Sequence, residues 1–119
     1  MTTPSGPLGY VEFPADDMER IKAFYADVFG WTFPGGDDYT FFDSGDGGIG
    51  GGMVVRGDGS PPHPLGYVFV EDVDAALERL VAAGGSVVKG SEQFGEAGWL
   101  AHATDTEGNL IGLWQAKGS

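Results

Sequence analysis

An internal repeat constrains the fold of this chain more than any other feature. Gly9-Tyr10-Val11-Glu12-Phe13 is echoed by Gly66-Tyr67-Val68-Phe69-Val70 about 57 residues further on. Near the end of each half, Ile49-Gly50-Gly51 finds a counterpart in Ile111-Gly112-Leu113 at an offset of about 62 residues. The order of elements repeats along with the residues. Leu8 to Phe13 reads as a strand, and Pro14-Ala15-Asp16-Asp17 leads into a helical pattern with Met18, Ile21, Phe24, Tyr25 and Val28 on one face. Asp16 with Glu19 three residues later fits a helix-start box, and Gly30 just past Phe29 supplies the stop. Trp31-Thr32-Phe33, Tyr39 to Phe42 and Gly48 to Val55 then read as strands, with turns at Pro34 to Asp38 and Asp43 to Gly47.

Gly57 to Pro64, with Pro61, Pro62, His63 and Pro64, has no periodicity and many breakers, so it reads as a linker between halves. The cycle then restarts with the strand at Gly66 to Val70. Val73, Ala76, Leu77, Leu80 and Val81 mark a helix that Gly84-Gly85 ends. Ser86 to Lys89, Trp99 to Thr104 and Leu110 to Gln115 supply three more strands. The expectation is one α+β domain over residues 1–119, built from strand-helix-three-strand modules at about 8–56 and 64–116.

Strand alternation assigns the faces. Val11 and Phe13 point to one side and Tyr10 and Glu12 to the other, and the same parity groups Gly50 with Gly52 and Gly112 with Trp114. Each helix needs an apolar sheet face, so Val11 and Phe13 should pack under the first helix and Val68 and Val70 under the second. Tyr10, Glu12, Tyr67 and Phe69 are left on the opposite face. If the two sheets curl toward each other, that face carries aromatic walls, glycine gaps and one carboxylate, which suits a small-molecule pocket. The plain alternative is a half-buried sheet face whose rings are core. Glu12 argues against it, because an ionised carboxylate among rings is costly unless solvated or paired.

Charge and composition remove several functions. Eighteen acidic and six basic side chains give a formal charge of −12, which repels nucleic-acid phosphates and anionic membranes. A salt-rich cytoplasm and a simple solubility preference would both produce such a surface. With no cysteine, disulfides, thiolate nucleophiles and cysteine-held clusters are excluded. The first residues have neither a basic start nor an apolar stretch, so a cytoplasmic location is expected. The glycines of 45–52 lack the Gly-Lys-Ser/Thr ending of a phosphate loop, and Ser44, Ser60, Ser86 and Ser91 lack a nucleophile-elbow frame. Glu71, Asp72 and Asp74 read as a helix start, without calcium-loop spacing.

At Glu12-Phe13-Pro14-Ala15-Asp16-Asp17, Phe24 to Trp31, Gly50-Gly51-Gly52, Val70 to Ala76 and Asp105-Thr106-Glu107-Gly108-Asn109, the chain resembles the vicinal oxygen chelate superfamily of glyoxalases, bleomycin-resistance proteins and ring-cleaving dioxygenases. The resemblance spans nearly the whole chain. It implies paired βαβββ modules forming a cup-shaped mixed sheet, and a homodimer as the assembly. It also implies metal ligands on the first and last strands of each module. Those positions fall on Tyr10 and Gly50, and on Gly112 with either Leu65 or Tyr67. None is a good donor for a divalent ion, so no metal and no other cofactor is expected.

Two functions remain open. One is a module that binds a hydrophobic or aromatic compound through Tyr67, Phe69, Trp114 and His102 without chemistry. The other is a metal-independent lyase or isomerase with Glu12 as general base and Tyr10 or Tyr67 donating to an oxyanion. His102 lies on a strand whose facing the sequence leaves open, and His63 reads as a loop residue.

Overall fold

The computed structural model describes residues 6–35, 39–57 and 61–117. The sequence readings at residues 1–5, 36–38 and 58–60, which include part of the first turn, part of the linker and Ser60, lie outside them. The chain divides into two compact units, one of residues 9–65 and one of residues 1–8 with 66–119. The fold is α+β, with the strand-helix-three-strand order present twice. Among the described residues no helix is long and apolar enough to cross a membrane.

The first module runs β1 (Leu8–Ala15), α1 (Met18–Phe29), β2 (Thr32–Gly35), β3 (Tyr39–Asp43) and β4 (Gly50–Val55). Its strands lie in the order β2-β3-β4-β1, with β1 and β4 parallel and the others antiparallel. Placing the first strand beside the last requires a crossover, and α1 helps supply it. Phe13 projects toward α1, 5.6 Å from Tyr25, as alternation predicts. Trp31 stacks between Tyr25 at 4.6 Å and Phe42 at 4.5 Å, forming an aromatic core on that side. Offset ring contacts of this kind add about 0.5–1.5 kcal/mol each beyond the area they bury.

Two details of α1 differ from the sequence reading. The capping residue is Asp17, whose side chain accepts from the Arg20 backbone N–H, and not Asp16. Asp16 is drawn away by Arg56, whose Nε donates to it at 3.0 Å while Nη1 donates to the Pro62 carbonyl. The helix also presents only one edge of its apolar stripe to the sheet. Tyr25 packs inward, whereas Phe24 and Val28 remain exposed. Successive residues are about 100° apart around a helix, so Phe24 and Tyr25 cannot both point into the same layer. Gly30 ends the helix at a φ of 75°, as expected.

The second module runs β5 (Leu65–Phe69), α2 (Val73–Ala82), β6 (Ser86–Phe94), β7 (Gly98–Thr104) and β8 (Leu110–Ala116). Its order is β5-β8-β7-β6, with β5 and β8 parallel. Asp72 caps α2 by accepting from Ala75 N–H. Val73 and Leu77 pack on Ala101, Ala103 and Leu113, with Val70 at the margin. Val68 pairs in register with Leu113 and so lies on the same sheet face, near Gly6. Strand β6 runs beyond the expected end at Lys89, because register shifts around Lys89 absorb the irregular stretch and pairing resumes at Glu92.

Candidate functional site

The helix-averse face of the first module is fixed by strand register. Tyr10 stands across from Gly50 and Glu12 from Gly52 in the parallel β1–β4 pair. Phe41 stands across from Gly52 and Tyr39 from Val54 in the antiparallel β3–β4 pair. Tyr10, Glu12, Tyr39 and Phe41 therefore share one face, opposite to Phe13, Phe42 and α1. Gly52 is required there by close approach, since a Cβ at this position would run into the Tyr39 ring. The ring crosses the missing side chain and brings its hydroxyl to both β1 residues.

Tyr39 hydrogen-bonds Tyr10 hydroxyl to hydroxyl, and either phenol can be the donor. Glu12 lies close enough to Tyr39 for each to influence the other's pKa. Burial pushes the Glu12 carboxyl above the usual carboxylate range, and the Tyr39 bond partly offsets this. Tyr10 is raised by burial first, with the Tyr39 bond opposing and the Glu12 charge adding to it. The Tyr39 phenol is raised far beyond its ordinary value by burial, then by its bond to Tyr10 and the nearby Glu12 charge. Tyr39 thus stays protonated. Sequence reasoning missed it as a site residue, although its parity over a glycine strand was the available signal.

The helix-averse face of the second module carries the other expected residues. Tyr67 pairs in register with Gly112, Phe69 with Trp114, and His102 with Gly112 from the far side. The facing of His102 is therefore settled: it lies on the Tyr67 side, away from α2. Tyr67 Oη lies 3.1 Å from His102 Nε2. Only 7% of Tyr67 is exposed, whereas Phe69 is exposed and Trp114 half-buried beside the edge of Phe94 at 6.2 Å. Burial, and then the neighbouring Lys89 charge, hold His102 below its ordinary value, with Glu92 opposing. A Cβ on Gly112 would come within 2.5 Å of the Tyr67 ring, so this glycine too is set by a tyrosine lying over it.

His63 lies in the linker with Nδ1 3.1 Å from the Pro64 carbonyl. Within the Glu71 to Asp74 cluster, Asp72 caps α2 and Asp74 lies in its first turn.

The two registers also decide which residues hold the first-strand and last-strand positions. Tyr10 faces Gly50, and Tyr67, not Leu65, faces Gly112. A phenol beside a glycine does not suit a divalent ion. Among the described residues no three His, Cys, Asp or Glu side chains gather in a metal-binding group.

Comparison with known proteins gives a consistent picture. Residues 8–113 match the family described as Glyoxalase/Bleomycin resistance protein/Dioxygenase superfamily. The chain is 32% identical to a Mycobacterium tuberculosis protein provisionally named glyoxylase CFP32, over 94% of this chain and 46% of that protein. It therefore spans about half the length of that relative. It is 31% identical to a glyoxylase-like domain-containing protein of Didymella fabae, over 95% of this chain and 96% of that one. Among solved structures it is similar to hypothetical protein BH1468 from Bacillus halodurans C-125, with a TM-score of 0.77, 12% identity and 97% of each chain covered. That last likeness concerns the fold alone.

Proposed function

Because the chain belongs to the Glyoxalase/Bleomycin resistance protein/Dioxygenase superfamily, we propose that it binds a small hydrophobic or aromatic compound on the face of the first module that carries Tyr10, Glu12, Tyr39 and Phe41. The observation that carries this reading is a half-buried carboxylate set among rings over glycine backbone. Phe41 is 53% exposed on this face, so it offers apolar surface that a flat ligand would cover. The test is thermal unfolding against a panel of aromatic compounds. A ligand present at a hundred times its Kd stabilises the folded state by about 2.7 kcal/mol. Stabilisation should weaken in Phe41→Ala, and compounds that protect the variant as well as the wild type would overturn the reading.

A second reading, catalysis by Glu12 as general base, is supported by one feature. A carboxylate whose pKa is raised by burial is better matched to proton abstraction near neutral pH than an ordinary one. In that case Glu12 takes a proton from carbon next to a carbonyl, and the Tyr10 hydroxyl, with Tyr39 donating to it in turn, is the donor to the developing oxyanion. Turnover of a stabilising compound should vanish in Glu12→Gln, and unchanged turnover would remove the role. On the second module, taken by itself, the Tyr67–His102 pair, Phe69 and Trp114 are a proposed surface for an apolar compound.

A further inference from the structure

We propose that the compound held on the Glu12 face carries a cationic nitrogen, which docks on the carboxylate while its aromatic remainder lies toward Phe41. The proposal rests on the binding reading above and names the chemical class of the ligand. Three observations carry it. First, among the described residues Glu12 has no cationic partner. All six basic side chains are described; Lys22, Arg56 and Lys89 pair with Glu19, Asp16 and Glu92, and among the described residues none forms an ion pair with Glu12. A carboxylate offers about four lone-pair sites, and Tyr39 could fill at most one of them.

Second, an ionised Glu12 carboxylate is an acceptor whichever of the Tyr10 and Tyr39 hydroxyls donates to the other. An anionic or carbonyl ligand approaching the carboxylate meets lone pairs, whereas an ammonium or amidinium group meets what it needs. Third, the surroundings favour positive charge. Phe41 and Tyr39 lie ring edge to face at 5.4 Å on this side of the sheet, and ring faces attract cations. The chain's charge of −12 acts in the same direction over longer range. Phe41 and Glu12 both pair with Gly52 from opposite sides, so their backbones are two strand spacings, about 10 Å, apart. An arylethylamine has the length to touch both.

The experiment compares three matched probes by NMR titration and thermal unfolding near pH 7.5: tryptamine, its neutral analogue indole-3-ethanol, and indole-3-acetate. The expected order is amine, then alcohol, then carboxylate, with about tenfold between amine and alcohol. In Glu12→Gln the amine and the alcohol should bind alike, while Glu107→Gln, the same change of charge at an exposed loop position, should keep the preference. Tyr39→Phe retains the carboxylate and removes the phenol hydroxyl beside it, so it should keep or increase the preference for the amine and covers the case in which Glu12→Gln does not fold. Equal binding of amine and alcohol by the wild type would overturn this proposal and leave the binding reading standing. A preference that survives Glu12→Gln, or that is lost in Tyr39→Phe, would also overturn it. Absence of binding by every probe would count against both.

Discussion

Glu12 and His102 carry opposite consequences of burial. The Glu12 pKa is raised, so the folded state holds its proton more tightly than the unfolded chain does. Its contribution to stability is fully present below the unfolded value, near 4.5, and is lost as pH rises through the folded value. Glu12→Gln removes this dependence. The melting temperature of the variant minus that of the wild type should therefore increase between about pH 4 and pH 7.5, and a difference that stays flat or falls would contradict the burial of the carboxylate. His102 is shifted downward, so the unfolded chain protonates first as pH falls below 6.5. Its NMR titration midpoint should lie below 6.5, with the neutral ring hydrogen-bonded to Tyr67 at neutral pH.

Helix α1 shows how one residue of offset changes an assignment. Asp16 and Asp17 both satisfy the compositional rule for a cap, but only Asp17 has the side chain accepting from the first turn. Asp17→Ala should cost about 1 kcal/mol in denaturant unfolding. Asp16→Ala removes only an exposed ion pair to Arg56 and should cost about 0.3 kcal/mol. Element identities and sheet faces were legible because period two in Tyr10-Val11-Glu12-Phe13 and the stop at Gly30 are local signals. The length of β6 was not, since Gly90 resembles an end and only pairing with β7 carries the strand past it. The facing of His102 was hidden for a similar reason: Ala101 and Ala103 beside it are small and fit either side of a sheet.

On the scale of the whole chain, the repeat was the readable part and the site's central residue was not. Tyr39 reaches Tyr10 across 29 positions of sequence, through a β3–β4–β1 register that no local pattern encodes. The charge of −12 is another property of the whole molecule. Raising ionic strength from about 0.01 M to about 1 M shortens the screening length from about 30 Å to about 3 Å, so self-repulsion should fade and the melting temperature rise. A melting temperature that falls with added sodium chloride would show that attractive pairs such as Arg56–Asp16 outweigh that repulsion.

Tyr67 and Gly112 are a coupled choice: the ring fills the volume that any side chain on the facing strand would need. Neither position can therefore be altered alone toward a ligating type with full effect. Tyr67→His combined with Gly112→Glu would seat an imidazole and a carboxylate on adjacent strands, with backbones about 4.8 Å apart. Zinc should then raise the melting temperature of the double variant and leave both single variants unchanged. Two coordinated replacements per module would thus put imidazole and carboxylate donors where this register places tyrosine beside glycine.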